Sequence, residues 1–264
     1  IDPRHVSSRH QSMHHFVAKA EWDDPAVLRL ARNTVLDALE RHGAVAGWIV
    51  DDTGIPKKGR HSVGVARQYC GVLGKQDNCQ VAVSLTLTNE AVSVPAAYRL
   101  YLPKAWAQDS TRRLAAGVPK EVTFQTKWQI ALDMIDRVRA EGLPPAPALA
   151  DAGYGVVTAF RDALTERQMP YVVGISSDTT VWPPGLDPLP PKPRAGKGRP
   201  PSRIRRSSNR KPAPVVELAI HAPANLWRHI SWREGTRGTM ASRFFWLRVR
   251  PAHRDENRHE PREV

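Results

Sequence analysis

The chain has 264 residues, 39 Lys plus Arg against 26 Asp plus Glu, and a net charge of +13. The length suits one large domain or two small ones, and a 41% hydrophobic content supports a core, which excludes wholesale disorder. Two cysteines, Cys70 and Cys79, exclude a disulfide-rich secreted scaffold, and no apolar run approaches the about 20 residues of a membrane helix. Ile1-Asp2-Pro3-Arg4 has no signal-peptide core, so the expected location is the cytoplasm, away from membranes. The absent initiator Met suggests a fragment.

The charge is uneven. Residues 1–185 carry 21 basic and 19 acidic side chains, and residues 186–264 carry 18 and 7. Lys192 to Lys211 holds nine basic residues and no acid. Such a segment either binds a polyanion, most simply nucleic acid, or is a solvated basic loop.

Residues 1–20 are polar and His-rich, without periodicity before His14. A helix follows, capped by Asp23 or Asp24, with Pro25 in its first turn, a face from Val27 to Leu39, and Gly43 as its stop. Ala44–Val50 is continuously apolar, as expected of a strand buried on both faces, and it ends at Asp51-Asp52. Asn78–Thr88 and Val92–Leu102 read as strands joined by a hairpin at Asn89-Glu90, with Pro95 marking an edge or bulge. A helix of about 16 residues should begin at a Thr126 cap and end at Gly142. Ala148–Ala150 is a short strand running into Asp151-Ala152-Gly153-Tyr154-Gly155, Val156–Gln168 a helix, and Tyr171–Ile175 a strand. The order β-β-β-α-β-α-β points to α/β with a mixed sheet. Proline then breaks residues 183–214 into a loop, before strands at Val215–Ile220 and Arg243–Arg250 with a core from Trp227, Trp232 and Trp246. The predicted parts are 1–43, a helical segment; 44–178, the α/β core; and 179–264, a basic Pro-rich loop with a β-rich insertion.

Asp51-Asp52 and Asp151 each end an apolar strand. If those strands are neighbours, their ends lie about 5 Å apart and the carboxylates can share Mg²⁺. The alternative is that they cap the Gly-containing turns that follow. Lys57, Lys58, Arg60 and His61 come directly afterwards, either to hold DNA phosphates or as an exposed turn. Arg203, Arg205 and Arg206 are weaker candidates for tracking a DNA backbone. Zinc is not expected, since His10-x3-His14 lies in a polar stretch without Cys-x2-Cys. Gly153-x-Gly155 lacks the third Gly of a dinucleotide loop.

The block Trp48-Ile49-Val50-Asp51-Asp52-Thr53-Gly54-Ile55-Pro56-Lys57-Lys58-Gly59-Arg60-His61-Ser62-Val63-Gly64-Val65-Ala66-Arg67-Gln68-Tyr69, continued by Gly71 to Ser84, closely resembles the DDE superfamily endonucleases. More narrowly it looks like a bacterial insertion-sequence transposase, with Tyr101-Leu102-Pro103, Ala150–Gly155 and Pro170–Val173 fitting the same group. The resemblance covers about residues 11–182 and implies a ribonuclease-H-like fold. It implies catalytic acids at Asp51 or Asp52 and at Asp151, with Asp52 preferred because it directly precedes Thr53-Gly54. It further implies two Mg²⁺ or Mn²⁺ ions held by Asp52, Asp151 and a third acid, with Asp51 supporting the site or itself the ligand. DNA at transposon ends and targets would be the partner, with a homodimer in a synaptic complex and a nucleoid-associated location. The third acid, a Glu on a helix with upstream Tyr and Arg, has no match: Glu234 lies in the insertion, and Glu256, Glu260 and Glu263 lie in a polar tail. The expectation is a chain that stops before it.

Overall fold

In the computed structural model, residues 6–193, 196–197 and 204–252 are described. They fall into two units, 1–173 and 174–264.

The first unit opens with α1 (Val6–Lys19), in the stretch where no pattern was visible, and α2 (Asp24–Glu40). Asp23 caps α2, its Oδ1 accepting from the Ala26 N–H at 3.0 Å, and Pro25 sits in the first turn. Strand β1 (Gly47–Pro56) pairs antiparallel with β3 (Lys75–Thr88) along its whole length. The short β2 (Ala66–Cys70) pairs with the start of β3, and β4 (Ser93–Leu100) forms a hairpin with its end. Pro95 faces Thr86 at a register shift, as expected of a bulge. Asn89 ties this hairpin to α2: its Nδ2 donates to the Leu39 and Gly43 carbonyls at 3.0 and 2.9 Å. Short helices α3 (Lys104–Gln108) and α4 (Ser110–Ala115) follow β4.

Helix α5 (Lys127–Ala140) begins with the expected Thr126 cap, which is half of a capping box with Gln129. Strand β5 (Ala148–Ala150) runs parallel to β1, with Trp48, Val50 opposite Ala148, Ala150, and β6 (Tyr171–Val173) runs parallel to β5. Between them lie α6 (Ala152–Gly155) and α7 (Thr158–Glu166). Among the described residues the sheet has six strands, in the order β2-β3-β1-β5-β6 with β4 also on β3. Mixed α/β with a mixed sheet is consistent with the ribonuclease-H-like class. The core joins Trp48, Val50, Leu85 and Leu87 to Ile135, Val138 and Phe160, so α5 and α7 pack on the sheet.

Two expectations fail here. The first strand does not end at Asp51; it continues to Pro56, because its partner β3 runs on past the short β5. β2 was not foreseen, since Ala66–Cys70 alternates polar and apolar over only five residues. Gly54 is therefore mid-strand, and its role is clearance. A Cβ there would lie 2.7 Å from Cys70 Sγ and 2.9 Å from Cys70 Cα. Gly54→Ala should cost about 1–3 kcal/mol by overpacking, because backbone has to yield. Urea unfolding checks it against Gly59→Ala, whose Cβ meets nothing within 4 Å. Equal midpoints for the two variants contradict the clearance role. Cys70 and Cys79 are free and buried, and burial together with the neighbouring Cys70 pushes the Cys79 thiol up to about 11.

The second unit holds a three-stranded sheet, in which β7 (Thr180–Trp182) pairs with β8 (Ala213–Pro214) and β11 (Arg250–Pro251). It also holds a hairpin of β9 (Arg228–Gly235) and β10 (Gly238–Phe244). Val215–Ile220 is helix α8, not a strand; Pro214 at its start and an apolar run too short to show a period explain the misreading. The strand expected at Arg243–Arg250 is displaced: β10 ends at Phe244. Trp232 and Trp246 are 49% and 79% exposed and Trp227 is half-buried, so they form no buried core; among the described residues of this unit the buried apolar side chains are Val181, Trp182 and Ala252.

Candidate active site

The parallel pairing of β1 with β5 sets the three aspartates along one cleft, although among the described residues no three acidic, His or Cys side chains stand close enough to hold a metal ion together. Val50 stands opposite Ala150, so Asp51 and Asp52 lie just past the point where β5 ends in Asp151. Alternation along β1 sends Asp52 to the same face as the buried Trp48 and Val50, while Asp51 points to the other face and is exposed. Continued by one residue, the register sets Asp51 level with Asp151. All three line one open cleft of about 580 Å³ with Thr53, Tyr69, Lys127 and Gly153.

Each carboxylate has a distinct environment. Asp52 Oδ2 accepts from Lys127 Nζ at 2.8 Å. Asp51 Oδ1 accepts from the Asp52 N–H at 2.7 Å. Asp151 is the N-cap of α6, its Oδ1 accepting from the Gly153 N–H at 2.9 Å, so the capping role is real. A Cβ on Gly153 would stand 3.0 Å from that same oxygen, so glycine there keeps the carboxylate uncrowded.

Tyr154 lies within the field of all three acids. Burial pushes its phenol above the ordinary value, and the negative charges of Asp52, Asp51 and Asp151 push it the same way. Its hydroxyl is buried on the side of Asp52. Arg161, itself buried, holds α6 from behind by donating to the Gly155 carbonyl and, at 3.2 Å, to Thr158 Oγ1.

The basic residues after the acids form a braced platform. Lys57 N–H donates to the Asn78 carbonyl at 2.9 Å, and Asn78 Nδ2 donates to the Lys57 and Gly59 carbonyls at 2.6 and 2.9 Å. Arg112 donates to the Arg60 carbonyl at 2.7 Å. Lys58, Arg60 and His61 are exposed and Lys57 is half-buried. In the second unit Arg205 is half-buried and donates to the Pro190 carbonyl at 2.9 Å, whereas Arg206 is exposed. Arg203 lies outside the described residues, as do Glu256, Glu260 and Glu263. Glu234 sits on β9 and accepts from Thr239 Oγ1 at 2.7 Å.

Sequence reasoning missed Lys127 and the role of Tyr154. Tyr154 was within reach, three residues after Asp151. Lys127 carried no local signal, since it lies 75 positions from Asp52. A dinucleotide loop at Gly153-x-Gly155 would open a full helix, whereas α6 has only four residues.

No helix among the described residues is long and apolar enough to cross a membrane. The family model for DDE superfamily endonuclease matches residues 2–239. The probable transposase for insertion sequence element IS701 of Microchaete diplosiphon is 32% identical over 172 residues, 65% of this chain and 42% of that relative. The match thus spans less than half the relative's length. A family match over nearly the whole chain, on a mixed α/β fold that gathers the block's aspartates into one cleft, establishes that the chain belongs to the DDE superfamily endonucleases.

Proposed function

We propose that the chain carries acids of a transposase catalytic core that cleaves and joins DNA phosphodiesters at insertion-sequence ends. The carrying observation is the β1–β5 pairing that sets Asp51 and Asp52 beside Asp151 in one open cleft. The donor chemistry suits a hard divalent cation, Mg²⁺ or Mn²⁺, since carboxylate oxygens with water completing the shell are what such ions take. Asp151 would hold it with one of the two neighbouring acids of β1: Asp52, which directly precedes Thr53-Gly54, or Asp51, which the register sets level with Asp151. When bound, metal ions of this kind activate an attacking oxygen and stabilise the leaving one. The chain's own groups do the rest: Asp151 fixes α6, Tyr154 backs the acids from a buried position, and the braced turn faces the backbone of DNA. Such an enzyme would work at the nucleoid, and pairing two transposon ends suits a dimer.

The test is nicking of end-containing DNA by the complete protein in Mn²⁺ and in chelator, with Asp151→Asn as control. Metal-dependent nicking that Asp151→Asn removes supports the reading; nicking that survives the substitution overturns it.

A second reading, DNA binding without catalysis, is favoured by one observation. Among the described residues no three His, Cys, Asp or Glu side chains gather into a group that could hold a metal ion. Both readings need the platform. Lys58→Glu and Arg60→Glu should each weaken DNA binding and lower the slope of log affinity against log salt by about one, as one lost phosphate contact does. Unchanged affinity and slope in both variants would reduce this turn to a solvated hairpin.

A further inference from the structure

Lys127 breaks a local rule. It is the first residue of α5, directly after the Thr126 cap, where the helix dipole disfavours a cation. A lysine there has to be compensated, and Asp52 does so from another element, with Oδ2 2.8 Å from Nζ. The pair lies in the cleft, its side chains only 34% and 24% exposed, and the ammonium stands 5.9 Å from the Tyr101 ring. A cation at a helix N-terminus that reaches into an acidic cleft sits where a bound cation is expected.

On the metal reading above, we infer that Lys127 is an internal counter-cation. Its ammonium neutralises Asp52 when no metal is present and must leave that carboxylate before a divalent ion takes it. Lys127 and the metal therefore compete, and Lys127 lowers the metal's apparent affinity. The freed ammonium stays in the cleft, where it can meet a DNA phosphate. Lys127 is thus a positioning residue that couples metal loading to substrate entry.

Mn²⁺ titration of the complete protein, followed by the loss of the free-ion electron-spin resonance signal, tests this without turnover. Lys127→Met should bind Mn²⁺ about two- to fivefold more tightly than the wild type, the scale of a partly exposed ion pair. Lys127→Arg keeps the charge and should match the wild type, which also controls for folding. Adding Asp52→Asn to Lys127→Met should erase the gain. Mn²⁺ binding that is equal or weaker in Lys127→Met overturns the inference alone. No Mn²⁺ binding by the wild type or by Lys127→Met overturns the metal reading and the inference with it.

Discussion

Asparagine at Asp151 is expected to lower metal-dependent cleavage by more than about a hundredfold and leave thermal stability almost unchanged. The contrast follows from the two jobs Asp151 does. As N-cap of α6 it accepts from the Gly153 N–H at 2.9 Å, and asparagine caps about as well as aspartate. As a metal-facing carboxylate it supplies a charge that asparagine lacks, and even the outer partners of metal ligands cost 10–100-fold, so a ligand should cost about that or more. Asp151→Ala removes both jobs and should add about 1 kcal/mol of destabilisation to the same catalytic loss. Nicking rates with Mn²⁺, read beside melting curves for the two variants, separate the jobs. If Asp151→Asn cleaves normally and Asp151→Ala only melts earlier, Asp151 is a cap and no more. The same assay decides between Asp51 and Asp52. Asp52→Asn also releases Lys127, whereas Asp51→Asn leaves that pair intact. The more damaging of the two identifies the carboxylate that works with Asp151.

Much of this arrangement was legible because it rests on local patterns. The apolar runs Ala44–Val50 and Ala148–Ala150 signalled buried strands, and the caps at Asp23 and Thr126 located α2 and α5. What failed depended on partners distant in sequence. Asp51–Pro56 stays in a strand because β3 pairs with it, although Asp51, Asp52 and Gly54 are residue types depleted in strands. Gly54 resembled a turn residue, yet its requirement comes from Cys70 on β2. The Lys127–Asp52 pair joins a helix start to a strand across 75 positions and leaves no periodic trace. In the second unit, Val215–Ile220 and the tryptophans misled because short apolar stretches show neither period nor burial.

Trp48→Ala should cost the first unit about 3–5 kcal/mol, the range for removing a buried aromatic. Trp48 is 1% exposed and lies four residues before Asp52 on the same face of β1. Its Nε1 donates to the Pro144 carbonyl at 3.1 Å, and its backbone N–H donates to the Pro147 carbonyl at 2.9 Å. Both acceptors belong to the proline link that delivers β5, so Trp48 sets where β5 begins. That matters because β1 and β5 pair over only three residues, Trp48 to Val50 against Ala148 to Ala150. Alanine leaves a cavity in the core and strips the Pro144 carbonyl of its donor. The aspartates should therefore lose their common cleft along with the stability, and cleavage should fall even under conditions where most of the protein stays folded. Trp48→Phe keeps most of the ring and loses the N–H, so it should cost about 1 kcal/mol, the net scale of one hydrogen bond to a half-buried carbonyl. Urea unfolding followed by circular dichroism measures both, with Leu114→Ala as the surface control because Leu114 is 81% exposed. A Trp48→Ala midpoint no lower than that of Leu114→Ala would show that something other than this indole anchors β5 to β1.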